Sequence, residues 1–345
     1  MKIIYSEKNS QIMEQLFVPY FLRDNSEMGW DLSSKERSVL QDVLPIMEEL
    51  HRLFLPYKEK IQRYYLIGYG LSLLHSVFLE MIDKGLAVEC VEEVHNYCLN
   101  LTEESIREHL SILLNTEREQ MEVTDFWERL DLSTAKPETK WYFSQFYRQP
   151  LDSMRKLVQL SKELTPLYQP YLEQGAAERQ TFAQTFSLEA FLNKVPILSN
   201  FSWSFAEEEE IRLYIISPWI MNFLSYTSDF VGQSLRFFVV SCRIDQILGQ
   251  KEGVDLEEFA NILKVISDVT RYNVLVELTK PHAKSKDIAE ALDITGAAVS
   301  FHTQKLINAQ LLLLNREDKH IKYDVNKALL KEVIAKLETD FDLES

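Results

Sequence analysis

Counted from Ser285, the fifth, tenth and fifteenth positions of one stretch of this chain are Ala289, Ile294 and Val299, and no other feature restricts its fold so much. Two helices that meet at a steep angle need a small side chain where they touch and apolar groups to plug the angle between them. The spacing predicts a helix-turn-helix. Ser285 caps a helix reading KDIAEAL with Ile288 and Leu292 pointing inward, Asp293 to Thr295 make a tight turn, and a second helix follows.

At about 100° per residue, Val299, Thr303 and Leu306 share the inward face of that second helix. Ala297, Ser300, Phe301 and Gln304 share the outward one, flanked by Lys305. The outward face reads as small, with hydroxyl and amide groups. Small residues let a helix sink into the major groove of a duplex, where Ser and Gln bond base edges. Upstream, Leu256, Phe259, Ala260, Leu263 and Ile266 fall on one helical face behind Asp255 as N-cap. Asp268 or Thr270 then caps a helix carrying Val274, Leu275 and Leu278, which Lys280-Pro281 ends. Downstream, LLLLNREDKHIKYDV reads as two short strands around a turn at Glu317-Asp318, with Arg316, Lys319, His320 and Lys322 near a basic tip. A last helix, Lys327 to Phe341, places Leu330, Val333, Ile334, Leu337 and Phe341 on an apolar stripe. The order helix, helix, helix-turn-helix, hairpin, helix is that of a winged helix.

These residues resemble the ArsR-type winged-helix transcriptional regulators. That pattern opens its second helix with D-x-T-R, follows its turn with A-V-S-x-H and ends its hairpin near a tyrosine. This chain supplies Asp268, Thr270 and Arg271, then Ala298, Val299, Ser300 and His302, then Tyr323. The resemblance runs from Phe259 to roughly Leu330. It implies a homodimer on a two-fold double-stranded operator DNA site, with the first and last helices of the module pairing across the axis and repression as the commoner outcome. Ser300 and Gln304 would read bases, while Lys286, Lys305, Arg316 and Lys319 would neutralise phosphates. Thr295 would cap the recognition helix and lend its amides to the backbone. Gly296, Ala297, Phe301, His302 and His320 complete the expected DNA surface, with His302 either packed against the turn or in contact with DNA. Asp293, Gln310 and Asp318 stand where the family has glycine, and Asp tolerates a left-handed backbone better than most residues. The cysteine-containing metal motif of the family's third helix is absent from KSKDIAEAL, so the resemblance carries DNA binding here and not metal sensing at that site.

A chain of 345 residues is too long for one ordinary core, so two domains are expected. The seam is placed at LGQKEGV, Leu248 to Val254, where two glycines and polar residues interrupt apolar patterning. Residues 1–250 then form a predominantly helical domain for sensing or dimerisation, and 255–345 the winged helix. Helices are expected at Val39–Leu55, Ile61–Ile82, Val88–Leu99, Thr102–Asn115 and from Glu138 to Glu173, broken near Pro150 and Pro166. Lys2–Tyr5, Ile211–Ile216 and Leu235–Val240 read as strands of a small sheet, although the last suits a buried helix equally. The fold class is therefore mostly α with a small β element, plus the C-terminal winged helix.

The net charge of -16 is uneven. Residues 264–327 carry ten basic against eight acidic groups, so a local basic patch can face phosphate while the rest of the chain repels it. Tyr65 to Leu79 is uncharged for 15 residues, short of the roughly 20 needed to span a bilayer, and reads as a buried helix. Cys90, Cys98 and Cys242 form no disulfide framework, and MKIIYSEKNS lacks a signal-peptide apolar run, which predicts a cytoplasmic protein with free thiols and no membrane partner. On a helix Cys90 and Cys98 lie about 12 Å apart along the axis, too far for one ion that also took His95. No glycine-rich nucleotide loop and no GxSxG occurs, so no cofactor or catalytic residue is expected. WYFSQFYRQP, residues 141–150, lines a ligand pocket or fills core, and Ser217-Pro218-Trp219 ends a strand or rims a pocket.

The reading these features support is a DNA-binding transcriptional regulator controlled through its N-terminal domain by a small-molecule or protein effector. The alternatives are a winged helix used only for dimerisation, in an interaction protein or in an enzyme.

Overall fold

A computed structural model of the chain describes residues 2–17, 20, 22, 34–68, 70–114, 125–133, 135–195, 210–221, 223–228, 235–248, 256–280, 285–317 and 320–343. The fold is mostly α with small sheets, in two compact units. The first comprises Met1–Arg23, Leu40–Phe186 and Phe205–Ile244, and the second Asp24–Val39, Ser187–Ser204 and Asp245–Ser345.

The first unit begins with β1 (Lys2–Tyr5) and α1 (Glu7–Gln15). It continues through α2 (Leu44–Phe54), α3 (Lys58–Tyr64), β2 (Ile67–Gly68), β3 (Leu71–Ser72) and α4 (Leu73–Asp83). Next come α5 (Val91–Leu99), α6 (Glu103–Leu113), α7 (Phe126–Leu132), α8 (Pro137–Arg148), α9 (Pro150–Gln174) and α10 (Ala176–Thr185). The strands β4 (Glu210–Ile216), β5 (Phe223–Ser228) and β6 (Leu235–Ser241) join β1 in one sheet of order β1-β4-β6-β5. In that sheet β4 runs parallel to both β1 and β6, and β5 is antiparallel to β6. The three expected strands are present, and the sheet adds β5, which the sequence reading missed. Leu235–Val240 is strand and not helix, because its apolar residues lie between β4 and β5 with Phe237 to Val240 buried.

Two expected helices are differently divided. Ile61–Ile82 is split by the β2–β3 hairpin. Gly70 sits at φ 75°, a left-handed angle that ends helical winding, and Ser72 then restarts it. The Ser72 hydroxyl accepts from the His75 amide at 3.4 Å, and the Ser72 amide donates back to His75 Nδ1 at 3.0 Å. The apolar run therefore packs partly as this turn and partly as α4, whose residues Leu73 to Ile82 are all buried. Among the described residues no helix is long and apolar enough to cross a membrane. Conversely α9 does not break at Pro166. Pro166 and Pro170 are one turn apart on its exposed side, so the carbonyls they leave without a donor face water. The break at Pro150 is real: Pro150 stands in the first turn of α9, where its missing amide costs no helical hydrogen bond.

A buried polar network ties α1, α9 and α10 to the end of β4. Glu14 and Arg179 are fully buried and 3.2 Å apart. The Glu14 carboxylate also accepts from Tyr168 Oη at 2.6 Å and from the Ser217 amide at 2.9 Å. Arg179 donates to Ser217 Oγ at 2.7 Å, and Trp219 Nε1 to Tyr168 Oη at 2.7 Å. Gly175, between α9 and α10, is required here, because a Cβ would stand 2.2 Å from Ser217 Oγ. Ser217 and Trp219 are thus core members rather than a pocket rim. Of the 141–150 aromatics, Phe143 and Phe146 are core, and Tyr147 stacks on Phe126 with ring centroids 3.8 Å apart. His95 is buried with Nε2 at 2.8 Å from the Ser161 hydroxyl.

In the second unit Ser34–Val39 and Leu188–Lys194 are short helices. Its C-terminal part runs α11 (Leu256–Ile266), α12 (Val269–Glu277), α13 (Ser285–Leu292), α14 (Gly296–Asn308), β7 (Leu312–Glu317), β8 (His320–Val325) and α15 (Lys327–Asp340). This is the order of helices, hairpin and closing helix read from the sequence. The core joins Phe259 and Ile262 of α11, Val274 and Leu275 of α12 and Ile288 of α13 to Val299 and Leu306 of α14. Leu311, Leu312 and Val325 of the hairpin region and Leu329 and Val333 of α15 complete it.

The apolar stripes read on the first and last helices of this part are each divided between core and solvent. α11 buries Phe259 and Ile262, while Leu256, at 73% exposure, Ala260 and Leu263 face outward. α15 buries Leu329 and Val333, and leaves Ile334 and Phe341 exposed. Both helices have more apolar residues than one core contact covers, so the pattern alone does not say which row turns inward. Asp255, Pro281 and most of the proposed seam lie outside the described residues.

Candidate functional site

α13 and α14 meet through a turn whose geometry explains the spacing of their apolar residues. Asp293 adopts φ 52°, its amide bonds Glu290 O at 3.4 Å, and the Ile294 amide reaches Ala289 O at 3.0 Å. That is a Schellman C-cap, in which the residue after the left-handed position contacts the one five before it. Positions five and ten of the motif are therefore the two ends of one cap, and a small Ala289 lets Ile294 fold back. α14 ends likewise: Gln310 has φ 57°, its amide bonds Ile307 O at 2.9 Å, and the Leu311 amide bonds Leu306 O at 3.0 Å. Of the three non-glycine residues noted in the sequence, Asp293 and Gln310 occupy left-handed positions.

Thr295 caps α14, its Oγ1 accepting from the Ala298 amide at 3.1 Å, and is exposed. Val299, Thr303 and Leu306 are buried, and Ala297, Phe301 and Gln304 are exposed with Ser300 half-buried between them. The outward face is present as read, with one correction: it is not uniformly small, because Phe301 stands 54% exposed. Lys305 lies over the Phe301 ring, 5.8 Å from its centroid. Gln304 Nε2 donates to Asn308 Oδ1 at 2.9 Å, which adds Asn308 to the face. That residue was missed, although its place four positions after Gln304 put it on the same row. Gly296 is exposed, and a Cβ there would meet nothing. Lys286 is exposed in the first turn of α13.

His302 is half-buried. Its Nδ1 is buried without a hydrogen-bond partner among the described residues, and burial pushes the imidazole pKa down against the pull of Asp268. It therefore lies near Asp268 and Arg271 at the start of α12, a place the sequence reading did not name. Asp268 caps α12, accepting from the Arg271 amide at 2.8 Å, a bond that holds its carboxyl below the ordinary range. Arg271 Nε in turn bonds Val265 O at 2.8 Å, so the D-x-T-R residues staple the end of α11 to the start of α12.

The hairpin is antiparallel, with Arg316 opposite Ile321 and Glu317 opposite His320. Arg316 and His320 are thus near its tip, where the sequence put them. Lys319 and Asp318 lie outside the described residues. The site is a convex helix face with hydroxyl, amide, aromatic and cationic groups, and among the described residues no cluster of His, Cys, Asp or Glu is placed to hold a metal.

A 74-residue stretch of the chain is 32% identical to the transcriptional repressor SdpR of Bacillus subtilis (strain 168), covering 21% of this chain and 82% of that repressor. No family model matches the chain.

Proposed function

Because the chain belongs, through that stretch, to the family of the transcriptional repressor SdpR, we propose that it is a sequence-specific double-stranded DNA-binding transcriptional regulator. Its α11–α15 part is then an ArsR-like winged helix-turn-helix. The observation that carries this reading is the outer face of α14, open to solvent on a helix whose opposite face, Val299, Thr303 and Leu306, is locked into the core.

In this reading α14 enters the major groove. Ser300, Gln304 and Asn308 offer hydroxyl and amide groups to base edges, and Phe301 offers an apolar edge. Thr295 and Gly296 start the helix, where first-turn amides face a backbone phosphate. Lys286, Lys305, Arg316, Lys319 and His320 neutralise neighbouring phosphates. Repression is the outcome, as for the relative. The regulator works in the cytoplasm as a homodimer, pairing through the exposed apolar residues of α11 and α15. Residues 1–250 receive a small-molecule or protein signal.

The test is selection of binding sites from random duplexes with the full chain, followed by competition with unrelated DNA. A preferred sequence should be bound on the order of 10³-fold more tightly than competitor, and Gln304→Ala should erode that preference. Equal capture of every duplex, or of none, would make the chain an interaction module instead.

A further inference from the structure

Within the first unit, a cleft of about 390 Å³ opens between the start of α1 and the segment that follows α4. Ser6, Lys8, Asn9 and Arg212 line one side, and Ile82, Leu86, Val88 and Glu89 are among the residues of the other. Its size is within the usual range of small-ligand sites. The far wall is shaped by the cap of α4, where Gly85 at φ 73° bonds Ile82 O and the Leu86 amide bonds Met81 O. Those bonds satisfy the carbonyls at that helix end, and leave the wall largely apolar.

The polar side is less satisfied. Arg212, half-buried on β4, has its Nε buried without a hydrogen-bond partner among the described residues, and none of their carboxylates forms a salt bridge with it. Two residues on along the same face of β4, Tyr214 is 1% exposed and its hydroxyl also lacks a partner. Both residues line a small void beside Ser6 and Asn9, residues that also line the cleft. Burying an unpaired hydroxyl costs about 1–3 kcal/mol and a guanidinium donor more, so two such groups side by side are expensive unless something accepts from them. The other cation of the cleft, Lys8, is paired with Glu89, and Glu210 is paired with Lys2. That leaves Arg212 with the carboxylate of partly exposed Glu210, already paired with Lys2, as a counter-charge that it shares rather than one of its own. The N-terminus of α1, capped by Ser6 through the Asn9 amide at 3.2 Å, adds a partial positive charge on the same side.

We propose that this cleft binds a small organic monocarboxylate with an apolar body. Arg212 holds the carboxylate in the planar two-point geometry that suits a guanidinium, and the hydrocarbon lies against Ile82, Leu86 and Val88. A single guanidinium, its charge shared in part with Glu210, selects a monoanion over phosphate. As the entry point of a signal for a regulator, the site rests on the DNA-binding reading above; as a binding site, it does not.

The experiment is isothermal titration of the full chain, without DNA, with acetate, hexanoate, benzoate and inorganic phosphate. Hexanoate or benzoate should bind saturably, with acetate and phosphate much weaker. Arg212→Gln should weaken that binding about tenfold or more. Ala87→Trp, at an exposed position of the cleft wall, should block it while leaving the guanidinium in place. Neither variant should lower the melting temperature by more than a degree or so, because the only ionic neighbour Arg212 would lose among the described residues is partly exposed Glu210, itself paired with Lys2, and Ala87 is exposed. Absence of saturable binding to hexanoate and benzoate would overturn the proposal, and would mean that solvent serves the two buried donors. Unchanged affinity in both variants would overturn it equally. A failed titration with a successful DNA selection removes the carboxylate site alone, and the converse removes the DNA reading alone.

Discussion

At position 301 the outer face of α14 presents a phenylalanine that the core does not use, with Lys305 and His302 against its ring. In the proposed complex, where that face enters the major groove, an apolar ring there suits the methyl group of thymine. Replacing a contacted thymine by deoxyuridine in the selected site should cost about 1 kcal/mol with the natural chain and nothing with Phe301→Ala, measured by competition gel shift. Equal losses in both would place Phe301 away from the bases. Asp293 and Gln310 make a separate case. Each holds a left-handed backbone that costs an L-residue about 1–2 kcal/mol, of which glycine returns part through its greater freedom in the unfolded chain. Asp293→Gly and Gln310→Gly should each stabilise the chain by about 0.5–1 kcal/mol in urea denaturation.

At the scale of elements, α14 was legible because its period, its Thr295 cap and its inward residues are all local. α11 and α15 were legible as helices but not as faces. Leu256, Leu263, Ile334 and Phe341 lie outward on these two helices, and Phe341 is 70% exposed. If this is where two copies pair, Ile334→Asp should weaken self-association at least about tenfold in sedimentation equilibrium, since a charge would be buried without a partner. Unaltered association would move the dimer elsewhere. The Ile61–Ile82 stretch shows the limit of hydropathy at this scale: an unbroken apolar run hides a hairpin, and only Gly70 and the Ser72–His75 cap reveal where the helix restarts.

For the whole molecule, the charge of -16 and a positively biased stretch at 264–327 set how the chain meets a polyanion. A dimer engaging about eight phosphates should lose affinity with a log–log salt slope on the order of -7, and a slope near zero would argue against DNA contact altogether. Stability has its own signature. Burial holds the pKa of His75 down to about 3 and of His95 to about 4. A histidine buried neutral binds its proton only on unfolding, so its contribution is complete above the unfolded value near 6.5 and is lost as pH falls toward the folded one. Urea unfolding followed from pH 7 to pH 4.5 should therefore show stability declining, by on the order of 1 kcal/mol per pH unit for each histidine once below that value. A flat profile would mean that these imidazoles are solvated.

What the sequence determined by itself was local: the steep helix pair, its caps, the inward row of α14 and the strands that alternate or run apolar. Each depends on residues within a few positions of one another, where backbone geometry and periodicity act directly. What only the tertiary structure decided was long-range. Glu14 meets Arg179 and Ser217, β5 completes the sheet, and Arg212 and Tyr214 come to rest beside Ser6 and Asn9 with a guanidinium Nε and a hydroxyl that no hydrogen bond among the described residues satisfies. Periodicity reports that a face is apolar or that a residue is charged, but burial, and with it the cost of an unpaired donor, depends on which distant segment lies against it.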